Sequence, residues 1–314
     1  EVGIELVGRI GPRMGFPPED VEVLADLVRH HLLLPDVATR RDLRDDATIE
    51  AVADAVGSLA TLELLAALTE ADSLATGPAA WGPWKAGLVA ELVSRTAHRL
   101  GGGRVPEVRG PLLSERHRRL MAEGGTHVLA EGRTLTVVSD DRPGTFSRVA
   151  GVLAVSGLDV LEAGAHSEGR AAVSRFTVTP TLGTEVDWDR VTALVHEALA
   201  GRLALAARIA ERERTYARPG PVTGGAADVP EVLVDNEASA TATVVEVHAP
   251  DSIGILYRLT QALSSLDLDI RTAKVQTLGH RVVDSFYVRT RDGEKVTDPR
   301  YLAEIERAVL HALT

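Results

Sequence analysis

Apolar side chains recur at helical spacing through the first hundred residues, starting within the first few positions. The segment Pro17–Asp20 places two prolines before two acidic residues, which is typical of a helix start. Apolar residues then recur every three or four positions up to His31, and Pro35 is expected to close this helix. Three further helices are predicted, with a break at Gly77 and Pro78: residues 46–56, 58–76 and 82–100. The pattern predicts an all-helical domain over residues 1–100.

From residue 134 the pattern changes to β-branched runs that alternate with helical segments. Strands are predicted at 135–138, 160–166, 172–178, 231–234, 243–248, 270–277 and 282–289. Helices are predicted at 144–156, 188–200, 203–214, 254–266 and 299–313. Residues 101–133 are interpreted as a linker with a basic helical piece, and residues 215–230 as a Pro/Gly-rich loop.

The second half contains an internal repeat. A shift of 110 residues aligns 137–178 with 247–288 without a gap and gives twelve identities. At a background identity of about 5–10%, such agreement indicates two copies of one domain. The unit is βαββα, and residues 231–234 are expected to add a fourth strand to the first copy. The predicted fold class is therefore α + (α+β): helices followed by two ferredoxin-like βαββαβ domains.

Each copy carries Asp-x-x-Gly between its first strand and first helix, namely Asp141 to Gly144 and Asp251 to Gly254. Glycine at a helix entry lets backbone N–H groups approach a ligand, and the helix N-terminus favours a carboxylate. Asp159 and Asp269 open the second strand of each copy. Such a site suits a zwitterionic amino acid. The alternative is a capping Asp and a turn Gly without a ligand.

These turns, and the L-x-x-x-G/D-L-D segment that follows each of them, resemble ACT domains. The resemblance covers residues 134–314 and implies two domains, 134–239 and 240–314. ACT domains are small regulatory modules that commonly bind amino acids at domain interfaces. The resemblance therefore implies regulation by an amino acid that contacts the six residues named above.

Four phrases in the helical block resemble a second module: Val28–Leu33, Ala38–Asp42, Leu68–Thr76, and Trp81 with Trp84-Lys85. They are similar to the HD phosphohydrolase domain of the PII uridylyltransferase/uridylyl-removing family, which also ends in two ACT domains. The resemblance implies that residues 1–100 are the C-terminal part of an HD domain and that 101–133 link it to the ACT pair.

The HD resemblance also implies roles for particular residues. Asp72 matches the later metal-binding Asp of the family and His31 a further His of the HD core, so the two would form a partial metal site. Arg40 and Arg41 are expected to contact a nucleotide phosphate. From the residues alone, helical spacing places His31 on the inward face, where a lone His is more often a satisfied core residue. No His-Asp doublet and no transferase core occur in these 314 residues.

This departure limits what we expect of the chain itself. In the intact family member, Mg²⁺ or Mn²⁺ would activate water against the phosphodiester that joins UMP or AMP to a tyrosine of PII. Two ligands cannot hold such a metal tightly. We therefore expect no tightly bound cofactor and no hydrolysis of modified PII by this chain alone.

Composition narrows the remaining classes. The net charge is -11, which argues against a general nucleic-acid binder. The chain has no cysteine, which excludes a disulfide, a Cys-ligated zinc and a thiol nucleophile. No apolar run approaches ~18 residues and no signal peptide is present, so we expect no membrane partner and a cytoplasmic location.

The favoured hypothesis is the glutamine-sensing regulatory half of a PII nucleotidyltransferase and nucleotidyl-removing enzyme, with PII and glutamine as partners. Whether UMP or AMP is transferred stays open, as does the ACT copy that binds. We expect glutamine to bind residues 134–314 and Asp251→Ala to weaken binding. The alternative is a non-catalytic, amino-acid-binding tandem ACT protein with a degenerate helical domain. A ppGpp synthetase/hydrolase fits poorly, since 101–133 leave no room for a synthetase domain.

Overall fold

A computed structural model describes residues 2–76, 83–101, 114–181, 183, 185–216, 229–278 and 281–314. The chain divides into two compact units, residues 1–108 and 109–314. The predicted break at Gly77 and Pro78, Trp81, residues 102–113 and most of the 215–230 loop lie outside the described residues.

The first unit is helical as expected. Its helices are α1 (Val2–Ile10), a short 3-10 helix (Pro12–Met14), α2 (Pro18–His30), α3 (Leu33–Arg40), α4 (Asp46–Val56), α5 (Leu59–Thr76) and α6 (Pro83–Leu100). Asp45 caps α4 by accepting from the Ala47 N–H at 3.1 Å, and Ser58 accepts from the Thr61 N–H at 3.0 Å at the start of α5. The core is aliphatic and includes Leu34, Ile49, Val52, Leu62, Leu65 and Leu92.

The end of α2 differs from the expectation. The helix ends at His30, and Pro35 lies in the first turn of α3, where its missing N–H costs nothing. In one continuous helix, Pro35 could not donate to the carbonyl of His31, and its ring would clash with it. The chain therefore breaks four residues before the proline, not at it.

The second unit combines one antiparallel sheet with helices. Its strands are β1 (His127–Glu131), β2 (Thr134–Asp140), β3 (Leu158–Glu168), β4 (Ala171–Pro180), β5 (Glu231–Asp235), β6 (Thr243–Pro250), β7 (Asp269–Leu278) and β8 (Arg281–Arg289). Its helices are α7 (Glu115–Glu123), α8 (Thr145–Val155), α9 (Trp188–Leu199), α10 (Leu205–Tyr216), α11 (Ile255–Ser265) and α12 (Pro299–Ala312). The strand order is β1-β2-β4-β3-β7-β8-β6-β5.

The fourth strand of each copy comes before the repeat, contrary to the expected βαββαβ order. β5 pairs antiparallel with β6 and so completes the second copy, not the first. The first copy is completed by β1, which pairs with β2 and lies inside the segment interpreted as a linker. Each copy is therefore ββαββα. Gly132, at φ 58°, allows the two-residue turn that joins β1 to β2.

The two copies meet edge to edge and are related by a local two-fold axis. β3 and β7 pair antiparallel, and Ala163 lies opposite Ala273, its own equivalent under the 110-residue shift. The register shifts at Leu161 in β3 and at Arg271 in β7, again 110 residues apart. A residue near this axis in one copy therefore faces the other copy.

The helices share one core with one face of the sheet. That core includes Leu135, Val137, Phe176, Val245, Val247, Phe286, Val149, Leu153, Leu259, Leu263, Val195 and Ile305. α8 and α11 contact each other above it, and α10, which lies outside the repeated segments, contacts α8. Of the described helices, none alone has the length and apolar character to cross a bilayer; only α4 and α5 taken together do, with a 98° bend between them.

Candidate functional site

The two Asp-x-x-Gly turns have the same backbone. Gly144 (φ 80°, ψ 2°) and Gly254 (φ 75°, ψ 10°) are left-handed residues that precede α8 and α11. The N–H after each glycine donates to a carbonyl two residues before the glycine: Thr145 to Arg142, and Ile255 to Ser252, both at 3.1 Å. Glycine is required because other residues are strained at this φ.

Asp251 of the second copy lies close to Asp159 of the first copy, so this acidic pair is shared between the copies. Partial burial raises the pKa of Asp251, and the negative charge of Asp159 raises it further. Partial burial also raises the pKa of Asp159, although the Thr181 hydroxyl, which donates at 3.2 Å, and the positive charge of Arg212 act in the opposite direction. The site therefore favours a cation between the two copies.

The local two-fold axis makes Asp141 and Asp269 the equivalent residues at the Gly144 turn. Asp269 pairs with Arg271 on its own strand at 3.4 Å. The backbone N–H of Asp141 donates to the carbonyl of Arg170 at 2.9 Å. Of the four predicted aspartates, Asp159 and Asp251 are therefore a pair whose negative charges act on each other across the two copies.

A cavity of about 640 Å³ opens beside the Gly144 turn. Its polar lining includes Ser147 and Arg148 of α8 and Tyr257 and Gln261 of α11, and the start of α10 forms another wall. This volume lies within the range of small-molecule sites, roughly 300–1,000 Å³. The cavity joins the glycine turn of one copy to a helix of the other.

Tyr257 and Gln261 are functional candidates that sequence reasoning missed. Burial raises the pKa of Tyr257, while Arg148 and a hydrogen bond with Gln261 oppose that shift. Under the 110-residue shift, Tyr257 aligns with Ser147 and Gln261 with Gly151. A Cβ at Gly151 would lie 2.8 Å from Tyr257 Cδ2, so glycine there admits the ring. The sequence signal that could have identified them is that the two copies carry different residues at these aligned positions.

The arginine repeated at 148 and 258 has a structural role that its identity alone did not reveal. Arg148 Nη1 donates to the carbonyl of Ala198 at 3.1 Å, and Arg258 Nε donates to that of Ala312 at 3.0 Å. Each arginine thus satisfies the C-terminal carbonyl groups of the second helix of its copy.

The helical unit places the predicted metal residues differently. His31 is exposed, not inward-facing, because α2 ends before it, and its Nδ1 lies 2.8 Å from the carbonyl oxygen of Val28. Asp72 is also exposed. In the described part of the chain, no three His, Cys, Asp or Glu side chains are grouped so as to hold a metal ion. Alone, these two residues do not fit a divalent cation, and their partial site stays a prediction.

The predicted phosphate contacts lie together at the end of α3. Arg40 Nη2 lies 3.8 Å from Asp36 Oδ1, and Arg41 follows the last helical residue. Asp42 accepts from Arg44 Nε and from the Arg44 N–H, both at 3.0 Å. Arg40 and Arg41 are therefore adjacent, and their role towards phosphate stays a prediction.

Comparison with known proteins gives this geometry a family context. Residues 238–313 match the model of the ACR family N-terminal ACT domain. The chain is 38% identical over 90% of its length to the bifunctional uridylyltransferase/uridylyl-removing enzyme of Streptomyces coelicolor. The proteins of the same name from Mycobacterium tuberculosis and Rhodospirillum rubrum are 37% and 33% identical over 91% and 100% of this chain.

The chain spans only part of these relatives, 40%, 37% and 39% of their respective lengths. These relatives confirm the resemblance to the uridylyltransferase/uridylyl-removing family that the repeat and the helical phrases indicated. The chain is a homologue of one segment of the bifunctional uridylyltransferase/uridylyl-removing enzymes, and its C-terminal region contains an ACT domain.

Proposed function

We propose that residues 114–314 form a glutamine-sensing ACT pair that regulates a PII nucleotidyltransferase and nucleotidyl-removing enzyme. The observation that carries the proposal is the cavity of about 640 Å³ between the Gly144 turn and α11, to which both copies contribute polar side chains. Its composition suits a small zwitterion with a polar side chain. The choice of glutamine rests on the family resemblance.

The cavity offers a partner for each polar end of glutamine. The N-terminus of α8 leaves backbone N–H groups without helical acceptors, and together with Arg148 it favours the α-carboxylate. Tyr257 and Gln261 can exchange hydrogen bonds with the side-chain amide. Because Gly144 and Tyr257 belong to different copies, bound glutamine would hold the two copies in one arrangement.

Regulation then follows from linkage. If glutamine prefers one arrangement of the pair, it shifts the balance between nucleotide transfer to PII and nucleotide removal by a coupling of about 1–3 kcal/mol. The same proposal makes the cytoplasm the site of action and PII the protein substrate of the whole enzyme. Mg²⁺ or Mn²⁺ belongs to the proposed activity of the parent enzyme, for which His31 and Asp72 would supply only part of the ligand set.

Calorimetric titration of the 314-residue chain with glutamine tests the proposal. We expect saturable heat, and a loss of about tenfold in affinity for Gln261→Ala, since the side-chain amide of the ligand would lose a hydrogen-bond partner. Glu306→Ala, an exposed change on α12, is the matched control and should bind like the parent chain. Absence of heat from the folded chain would contradict the proposal.

A further inference from the structure

The Gly144 and Gly254 turns are equivalent in the two copies, but α10 covers them differently. Its inward face carries buried Leu205 and Ile209, followed one turn later by Arg212 and Glu213, both half-buried. Leu205 lines the Gly144 cavity, whereas the second half of the helix continues onto the Gly254 turn.

Ile209 fills the space above Gly254. A Cβ built on Gly254 would lie 2.5 Å from Ile209 Cγ2, so the glycine and the isoleucine are in direct contact. At Gly144, by contrast, the nearest atom to such a Cβ is Ser147 Oγ at 3.6 Å, within its own helix. One turn is therefore closed by α10 and the other is open.

The next two residues of α10 bring one charge of each sign to the closed site. Glu213 Oε1 accepts from Arg258 Nη1 at 2.5 Å, a charge-assisted hydrogen bond. Arg212 acts electrostatically on Asp159, and its guanidinium lies against Gly157, where a Cβ would be 2.6 Å from Nη2. The carboxylate of Glu213 thus binds Arg258 of α11, and the positive charge of Arg212 acts on Asp159 of the acidic pair.

The repeat shows that the copies are adapted to this asymmetry. Gly157 aligns with Asp267 under the 110-residue shift, and both have a left-handed φ, 74° and 58°. The copy that receives Arg212 has glycine there, which leaves room for the guanidinium. The other copy carries Asp267, whose carboxylate pairs with Arg291 at 2.5 Å.

We propose that α10 is a built-in occupant of the second amino-acid site, in which Arg212 and Glu213 supply the two charges that a zwitterionic ligand would bring. This inference rests on the proposed function. Binding at the second site then requires that the end of α10 leaves, so the apparent affinity there is reduced by the fraction of molecules in which it is undocked. The first ligand binds at the Gly144 cavity, so the weaker binding expected for Asp251→Ala concerns the second binding event.

The test compares two double variants of the 314-residue chain with the same charge change. Arg212→Gln with Glu213→Gln removes both charges, whereas Arg208→Gln with Glu211→Gln changes exposed residues of the same helix. With glutamine as the calorimetric probe, we expect one site per chain in the parent and control, and two in the Arg212/Glu213 variant. Two sites of equal affinity in the parent, or one site in every chain, would overturn the inference.

Hydrogen exchange without ligand keeps the two proposals separable. We expect amides of the Gly254 turn and of α10 to exchange about tenfold faster in the Arg212/Glu213 variant than in the control, because the helix opens more often. If no chain binds glutamine, the proposed function fails. The hydrogen-exchange measurement alone then decides whether α10 closes the Gly254 turn. Unchanged exchange would show that it does not.

Discussion

The same four-residue turn occurs twice in this molecule and has two different environments. At Gly144 the turn faces an open cavity, and at Gly254 it lies beneath Ile209. The backbone angles of the two glycines differ by less than 10°, so the difference is not in the turn itself. A repeated sequence reproduces a scaffold, whereas the segment between the repeats decides which surface of it is accessible.

The strongest test of this comparison is alanine at each glycine. Both variants are strained by about 1–2 kcal/mol because φ is positive. Gly254→Ala also places its Cβ against Ile209 and should lose about 1–3 kcal/mol more through overpacking. Urea unfolding, with amide exchange in β4 and β8 as the probe of this unit, measures the difference. Equal losses would show that α10 moves away from Gly254 without cost.

The sequence predicts the features that depend on local patterns, but not those that depend on contacts between the copies. Hydrophobic periodicity located the helices and the repeated strands, because each follows from a local pattern. The repeat also pointed to Asp159 and Asp251, although it could not show that their charges interact, since that depends on how β3 of one copy pairs with β7 of the other. No hydrophobic pattern along the sequence predicts that these two strands pair with each other.

Two errors have specific physical causes. β1 was missed because its five residues lie between polar segments, and its register against β2 does not follow the 110-residue shift. The break before α3 was placed at Pro35 because proline stops a helix, although its steric effect acts on the carbonyl four residues earlier. Both errors concern tertiary or medium-range geometry, not the type of structure.

The two repeated arginines give the next test. Arg258 donates to the carbonyls of Ala312 and Ile253, to Ser252 Oγ and to Glu213, whereas Arg148 donates to the carbonyls of Ala198 and Leu199. We expect Arg258→Ala to lower the free energy of unfolding by about 2 kcal/mol and Arg148→Ala by about 1 kcal/mol.

An exposed arginine of α12 provides the control for this pair. Arg307 pairs only with Glu304 on its own helix among the contacts of the described residues. Arg307→Ala should change the unfolding free energy by less than about 0.5 kcal/mol. If Arg148→Ala cost as much as Arg258→Ala in the same urea series, the contacts to Glu213 and Ser252 would contribute nothing, and the asymmetry would be confined to the apolar contact at Gly254.

The smallest expected effect concerns the acidic pair. Because the pKa of Asp251 is raised on folding, its charged form opposes folding; the stability it contributes is full below the unfolded pKa, near 4, and is lost as pH rises through the folded value. Asp251→Asn keeps the acceptor and removes the charge. It should therefore raise the unfolding free energy at pH 7 by a few tenths of a kcal/mol, a gain that disappears below about pH 4. Asp141→Asn is the matched change at the open turn. The same pH dependence in both variants would mean that the approach of Asp159 to Asp251 has no electrostatic cost, and that the closed turn differs from the open one in packing alone.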